Sequence, residues 1–207
     1  MKPVRILIFA KAPQPGFAKT RLIPTLGAGG AADIARRLLA RTLHEALAAR
    51  VGHVELCATP SATDEVWATL DISDAVQWSD QGDGDLGERL ARATGRVIDR
   101  GESVLVIGTD CPDLTAPRLQ QAANALRHSD ATLIPTADGG YALLGLNRFH
   151  ASLFTGIGWS TDTVAFETLC HLGKLGWTVQ SQPMLHDIDE PADLKWLPKS
   201  WMETADA

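Results

Sequence analysis

Short apolar runs alternate along the chain with longer stretches in which apolar residues recur at helical spacing. Residues 4–9 are apolar throughout except for Arg5, the pattern of a strand covered on both faces. Lysine, proline and glycine dominate from residue 10 to about 30, which predicts a loop. Residues 31–50 place Ala35, Leu38, Leu39, Thr42, Leu43, Ala46 and Leu47 on one stripe. Arg36, Arg37, Arg41 and Glu45 fall off it, so an amphipathic helix is expected. Further strands are predicted at 53–58, 75–78, 103–107, 131–135 and 141–146, and near 177–182. Helices are predicted at 62–70, 86–99 and 161–172, and a short one from Pro191. Another opens at Thr115, read as its N-cap with Pro117 in the first turn, and runs to about residue 128. Asp138-Gly139-Gly140 reads as a turn between two strands.

Strand–helix alternation predicts an α/β fold, with a mostly parallel sheet flanked by helices; the later hairpin makes the sheet mixed. No repeat, linker or low-complexity tract interrupts it, so a single domain over residues 1–207 is expected, its polar end fraying. In such sheets ligands bind beyond the carboxyl ends of the strands, which directs attention to the loops there.

Composition narrows the classes. The 207 residues are 45% hydrophobic and 21% charged, ordinary for a globular protein. Nineteen Lys and Arg against 25 Asp and Glu leave a net charge of −6, which argues against binding a nucleic acid polymer. It leaves room for a small basic site that holds one nucleotide. The three cysteines, Cys57, Cys111 and Cys170, are widely spaced and form no disulfide framework or zinc knuckle. The first apolar run is too short for a membrane span or a signal-peptide core. A soluble, cytoplasmic protein is the expectation. Six tryptophans offer packing or interface surface, and a homo-oligomer stays open.

Four elements carry candidate chemistry. After the first strand, Lys11, Lys19 and Arg21 gather around Gly16, which lets backbone approach a ligand. Ammonium and guanidinium groups suit phosphate oxygens; the alternative is a solvated basic loop. Neither a P-loop nor a G-x-G-x-x-G fingerprint is present. Gly108-Thr109-Asp110-Cys111-Pro112-Asp113 leaves the strand at 103–107 directly. Asp110 and Asp113 offer hard oxygen ligands for Mg²⁺ or Mn²⁺, or order a turn, and Cys111 reads as packing. Asp189 precedes a helix that opens with Pro191, so it is either a second metal carboxylate or a helix cap; His186 nearby reads as structural. Asp138, at the hairpin, offers an acceptor for a sugar hydroxyl or serves as a base, against the alternative of a plain turn. Gly158-Trp159-Ser160-Thr161-Asp162 reads either as a second ligand-facing segment or as a capped helix start.

Taken together, Phe9 to Leu22, Gln81-Gly-Asp-Gly-Asp-Leu-Gly-Glu-Arg89, Ile107 to Leu114, Asp138 to Tyr141, Trp159 to Asp162 and Asp187 to Leu194 resemble the GT-A, or nucleotide-diphospho-sugar transferase, superfamily. Within it the chain is similar to the bacterial domain-of-unknown-function family 2064, labelled as glycosyltransferases of the arsenosugar-biosynthesis type. The resemblance implies a single-domain, Rossmann-like GT-A fold of about seven strands. It implies Asp110 and Asp189 as ligands of Mg²⁺ or Mn²⁺; Glu190 departs from the Thr that follows the second ligand in related nucleotidyltransferases. Gln81 to Leu86, with Asp85, would lie near the nucleotide base, and Asp138, Gly139, Gly140, Tyr141 and Trp159 would face sugar or acceptor. The implied activity is glycosyl transfer from a nucleotide-sugar to a small-molecule acceptor, with Lys19, Arg21, Asp110 and Asp138 as the catalytic set. The Lys19-Thr20-Arg21-Leu22 loop also resembles nucleotidyltransferases, which join an NTP to a small phosphate or sugar phosphate. A non-catalytic nucleotide-binding protein is the third alternative.

Overall fold

The structure is a computed structural model that describes residues 2–202; the end of the polar tail, 203–207, lies outside the described residues. Seven strands form one sheet in the order β3-β2-β1-β4-β6-β5-β7. They are β1 (Val4–Lys11), β2 (Gly52–Thr59), β3 (Val76–Asp80), β4 (Ser103–Ile107), β5 (Ala131–Pro135), β6 (Tyr141–Leu146) and β7 (Val179–Ser181). All neighbours pair in parallel except β6, which runs antiparallel to both β4 and β5. The expected mixed α/β architecture is therefore the observed one.

Helices cover both faces. Ile6, Ile8, Leu105 and Ile107 point to a core shared with Leu39 and Leu43 of α1 (Ile23–Ala49) and Leu119 of α3 (Ala116–Ala125). Leu7, Val104 and Val106 point the other way, to Leu90 and Val97 of α2 (Leu86–Asp99) and Leu172 of α4 (Val164–Lys174). Both parities of the central strands are thus buried, which is why β1 and β4 read as nearly continuous apolar runs.

Several boundaries differ from expectation. The predicted loop at 10–30 is shorter: β1 continues to Lys11, residues Thr20–Leu22 form a 3₁₀ turn, and α1 begins at Ile23. Gly27 breaks that helix locally, at φ +69°. Leu22, Ile23 and Leu26 pack with Ile188 and Leu197 in a third apolar cluster, so tertiary burial overrides the loop-like composition. Residues Glu65–Thr69 and Pro191–Trp196 are 3₁₀ rather than α-helical. Thr115 precedes α3 as expected but makes no side-chain cap; Glu45 of α1 accepts from the Ala116 N–H instead, at 2.7 Å.

One exception to the apolar core lies on the α2 side of the sheet. Arg5 donates to Glu55 at 3.0 Å and to Glu102 at 2.9 Å, and Arg96 of α2 also donates to Glu55. Burial pushes the Glu55 carboxyl up, but hydrogen bonds from Arg96 and Ser79 and the nearby guanidiniums hold it below its ordinary 4.5 overall. A carboxyl lowered on folding adds stability above its unfolded pKa and loses it as pH falls through the folded one. Stability should therefore decline below about pH 4.5. Glu55→Ala leaves Arg5 paired with Glu102 alone and removes the carboxylate that accepts from Arg96 and Ser79, so it should cost roughly 1–3 kcal/mol at pH 7, read by urea denaturation.

Candidate active site

The chemistry-bearing loops meet at the edge formed by the carboxyl ends of β1 and β4. Because β6 is reversed, its start lies at this same edge: Ile107 pairs with Leu143, so Tyr141 and the turn before it project beyond the end of β4. The segment after β4 is held from α1, where Arg41 donates to the Pro112 carbonyl at 2.6 Å. Ile188 donates to the Asp110 carbonyl at 2.9 Å, tying the distant 187–189 segment to the end of β4.

That tie brings the two candidate metal carboxylates together. The Lys19 ammonium sits between them, in contact with Asp110 Oδ1 and 2.7 Å from Asp189 Oδ1. Burial pulls the Lys19 ammonium down, but Asp110 and Asp189 more than reverse it and keep the charge. Lys19 holds this position from a left-handed backbone, φ 48°, at a cost of about 1–2 kcal/mol for a residue with a Cβ. Asp189 is not the helix cap. The Asp193 carboxylate caps from within the turn, accepting from the Glu190 N–H at 2.7 Å and the Asp189 N–H at 3.1 Å. The Asp189 side chain is left to face Lys19.

Two oxygen donors converging on one cation are a donor set suited to Mg²⁺ or Mn²⁺, with the remaining positions left for phosphate oxygens and water. Protein groups alone would not enclose the ion: no cluster of three or more such ligands occurs among the described residues. Asp113 is exposed and lines neither cavity. Cys111 is buried beneath the site; burial, then Asp110, raises its thiol well above the ordinary value, consistent with packing.

Two cavities flank this pair, sharing Phe9, Leu86, Asp110 and Asp189. The first, about 390 Å³, contains Lys11, Lys19, Arg21 and Arg89. Gly16 lines neither cavity. Gln81 is in the first, but its amide is used internally: Nε2 donates to the carbonyls of Ala10 and Cys57, and Oε1 accepts from Arg89. Asp85 is the N-cap of α2, accepting from the Glu88 N–H at 2.9 Å. Gln81 therefore shapes the wall, Asp85 lines neither cavity, and Arg89, which donates to Gln81 Oε1 and to the Asp85 carbonyl, supplies the wall's charge. Sequence reasoning passed over Arg89; the signal was its place one turn after the Asp85 cap, on the face turned to the basic loop.

The second cavity, about 260 Å³, contains Asp138, Gly140, Tyr141, Trp159 and Asp187. Asp138 Oδ1 accepts from Thr136 Oγ1 at 2.6 Å and the Gly140 N–H at 2.9 Å, which fixes the carboxylate and leaves Oδ2 available. Gly139, at φ +90°, packs against the backbone of Asp162 and has no room for a Cβ, so it docks two loops rather than a ligand. Tyr141 lines the cavity, but its hydroxyl is buried away from solvent and its pKa is driven upward by burial, which removes the hydroxyl as a sugar contact. Asp187 was not among the predicted site residues. Burial and the Asp138 charge push its carboxyl up to about 6. His186 stacks on Trp196 with ring centres 3.9 Å apart, the structural role expected of it.

The comparisons bear on family and fold. A family model described as "Uncharacterized protein conserved in bacteria (DUF2064)" matches residues 42–161. A candidate nucleotide-diphospho-sugar transferase from Desulfovibrio desulfuricans G20 is 31% identical over 99% of this chain and 90% of its own, with a TM-score of 0.87. Rv0371c from Mycobacterium tuberculosis H37Rv, solved with manganese, is 16% identical over 97% of this chain and 100% of its own, TM-score 0.56. A 4-diphosphocytidyl-2C-methyl-D-erythritol synthase from Anaerococcus prevotii DSM 20548 is 13% identical over 98% and 99%, TM-score 0.61. The last two likenesses are of fold. No curated protein matches in sequence. No helix among the described residues is long and apolar enough to cross a membrane. The family match over the middle of the chain and the Desulfovibrio relative along nearly all of it lead to one assignment: the chain belongs to the DUF2064 family of bacterial proteins.

Proposed function

We propose that the chain acts as a single-domain, divalent-metal-dependent glycosyltransferase with a nucleotide-sugar donor. The observation that carries the reading is the convergence of Asp110 and Asp189 on one cation, at the boundary between a cationic and an acidic cavity. Asp110 and Asp189 would hold Mg²⁺ or Mn²⁺, which when bound supplies Lewis-acid stabilisation of the leaving diphosphate. Lys11, Lys19, Arg21 and Arg89 bind and orient the phosphates. Asp138 positions the accepting hydroxyl through its free oxygen and receives its proton. The hydroxyl oxygen bonds to the anomeric carbon as the bond from that carbon to the diphosphate breaks. The electron pair departs on the nucleoside diphosphate, beside the cationic wall.

A Mn²⁺-dependent rise in melting temperature with at least one nucleotide-sugar from a broad panel is expected, together with slow donor hydrolysis when no acceptor is present. Failure of every nucleotide-sugar to bind or hydrolyse would overturn the reading. The four cations of the donor wall also suit a triphosphate, and this favours nucleotidyl transfer as the second reading. Pyrophosphate release from an NTP, without nucleotide-sugar binding, would establish it instead.

A further inference from the structure

The two cavities at the site differ in charge. Of the side chains around the second, four are carboxylates, Asp110, Asp138, Asp187 and Asp189, and none is Lys, Arg or His. Its remaining wall is largely apolar, with Phe9, Tyr141 and Trp159 among its lining. Cations gather on the other side of the Asp110–Asp189 pair, around the first cavity. Two of the four carboxylates, Asp110 and Asp189, are balanced by Lys19; no ion pair to Asp138 or Asp187 occurs among the described residues. An anion entering the second cavity would therefore lose water and meet like charge with no Lys, Arg or His in the lining to compensate it. A hydroxyl can donate to a carboxylate, an ammonium can pair with one, and an apolar or sugar-ring face can lie against the aromatic wall.

We propose that the second cavity selects an uncharged or cationic hydroxyl compound with an apolar or ring-shaped face as acceptor, and rejects acceptors that carry phosphate. The inference rests on the reading that the donor's phosphates occupy the cationic cavity. It also bears on the group transferred, because a nucleotidyltransferase acting on a sugar phosphate would have to bring a second phosphate into this acidic space. The space would have to be rebuilt to receive it.

The test is binding of three matched probes in the absence of donor: phenyl glucoside, 4-(aminomethyl)phenyl glucoside, and phenyl glucoside 6-phosphate. Saturable shifts of the Trp159 indole N–H are followed by NMR, with Trp159→Phe identifying the signal. The neutral and amino probes should bind, and the phosphate should bind at least tenfold more weakly. The double variant Asp138→Asn/Asp187→Asn should narrow that gap at least threefold. Phosphate binding equal to or tighter than the neutral probe would overturn the proposal, as would failure of all three probes to move the Trp159 signal. Donor binding is measured separately with nucleotide-sugar and Mn²⁺, so the two readings fail independently. Discrimination without donor binding removes the glycosyltransferase reading alone. Donor binding without discrimination removes the acceptor assignment alone.

Discussion

Asp110→Ala is expected to lower turnover of a nucleotide-sugar by roughly three orders of magnitude, on the scale of several kcal/mol that a bound metal contributes to a charged transition state. The substitution removes one of the two carboxylates that face a single cation. The architecture around it should persist, because the tie to the 187–189 segment uses the Asp110 carbonyl and not its side chain. The variant should therefore keep its far-UV CD spectrum and its melting temperature without ligand, to within a few degrees. The Mn²⁺-dependent stabilisation by nucleotide-sugar should vanish. Retention of turnover within tenfold of the parent would show that Asp110 lies outside the reacting centre.

Lys19→Met should separate two quantities that usually move together. Turnover should fall about 10²–10³-fold, the usual effect of removing one preorganised donor from a developing anion. Affinity for Mn²⁺ alone, with no nucleotide present, should rise. In the parent an ion has to displace the ammonium from Asp110 and Asp189; in the variant the two carboxylates repel each other with nothing between them. Methionine keeps much of the lysine stem's volume, so the surrounding packing should hold. Isothermal titration with Mn²⁺, set beside turnover, reads both effects. Weaker Mn²⁺ binding in the variant would mean that the ammonium supports the ion's position and does not compete for it.

The sheet was legible in the sequence because the central strands are buried on both faces and leave unbroken apolar runs. The early start of α1 was not. Pro24, Gly27, Gly29 and Gly30 spell a loop locally, and only contacts with Ile188 and Leu197, far along the chain, make the first turn helical. The site was legible in part. Asp110 followed from its place after a strand, and Asp138 from the hairpin. Asp189 hung between ligand and cap, because the cap falls to whichever residue immediately precedes Pro191, a one-residue question that spacing does not settle. Gln81 stands out through its glycine-rich surroundings, but its amide donates to backbone carbonyls and accepts from Arg89, so it steadies that cation at the cavity wall. Lys19 read as a phosphate ligand; its seat between two carboxylates depends on a left-handed backbone that no local pattern announces for a lysine.

The reversal of β6 divides labour across the sheet. Most of the cationic wall arises from β1, the turn before α1, and the first turns of α2, whereas Asp138, Tyr141 and Trp159 belong to the hairpin and the approach to α4. The two cavities meet along a seam of four shared residues, Phe9, Leu86, Asp110 and Asp189. On the proposed reading, such an arrangement would let a lineage exchange what receives the transferred group while leaving untouched what delivers it. On that reading, grafts at residues 136–164, with Asp187 beside them, are the route to new products on this scaffold.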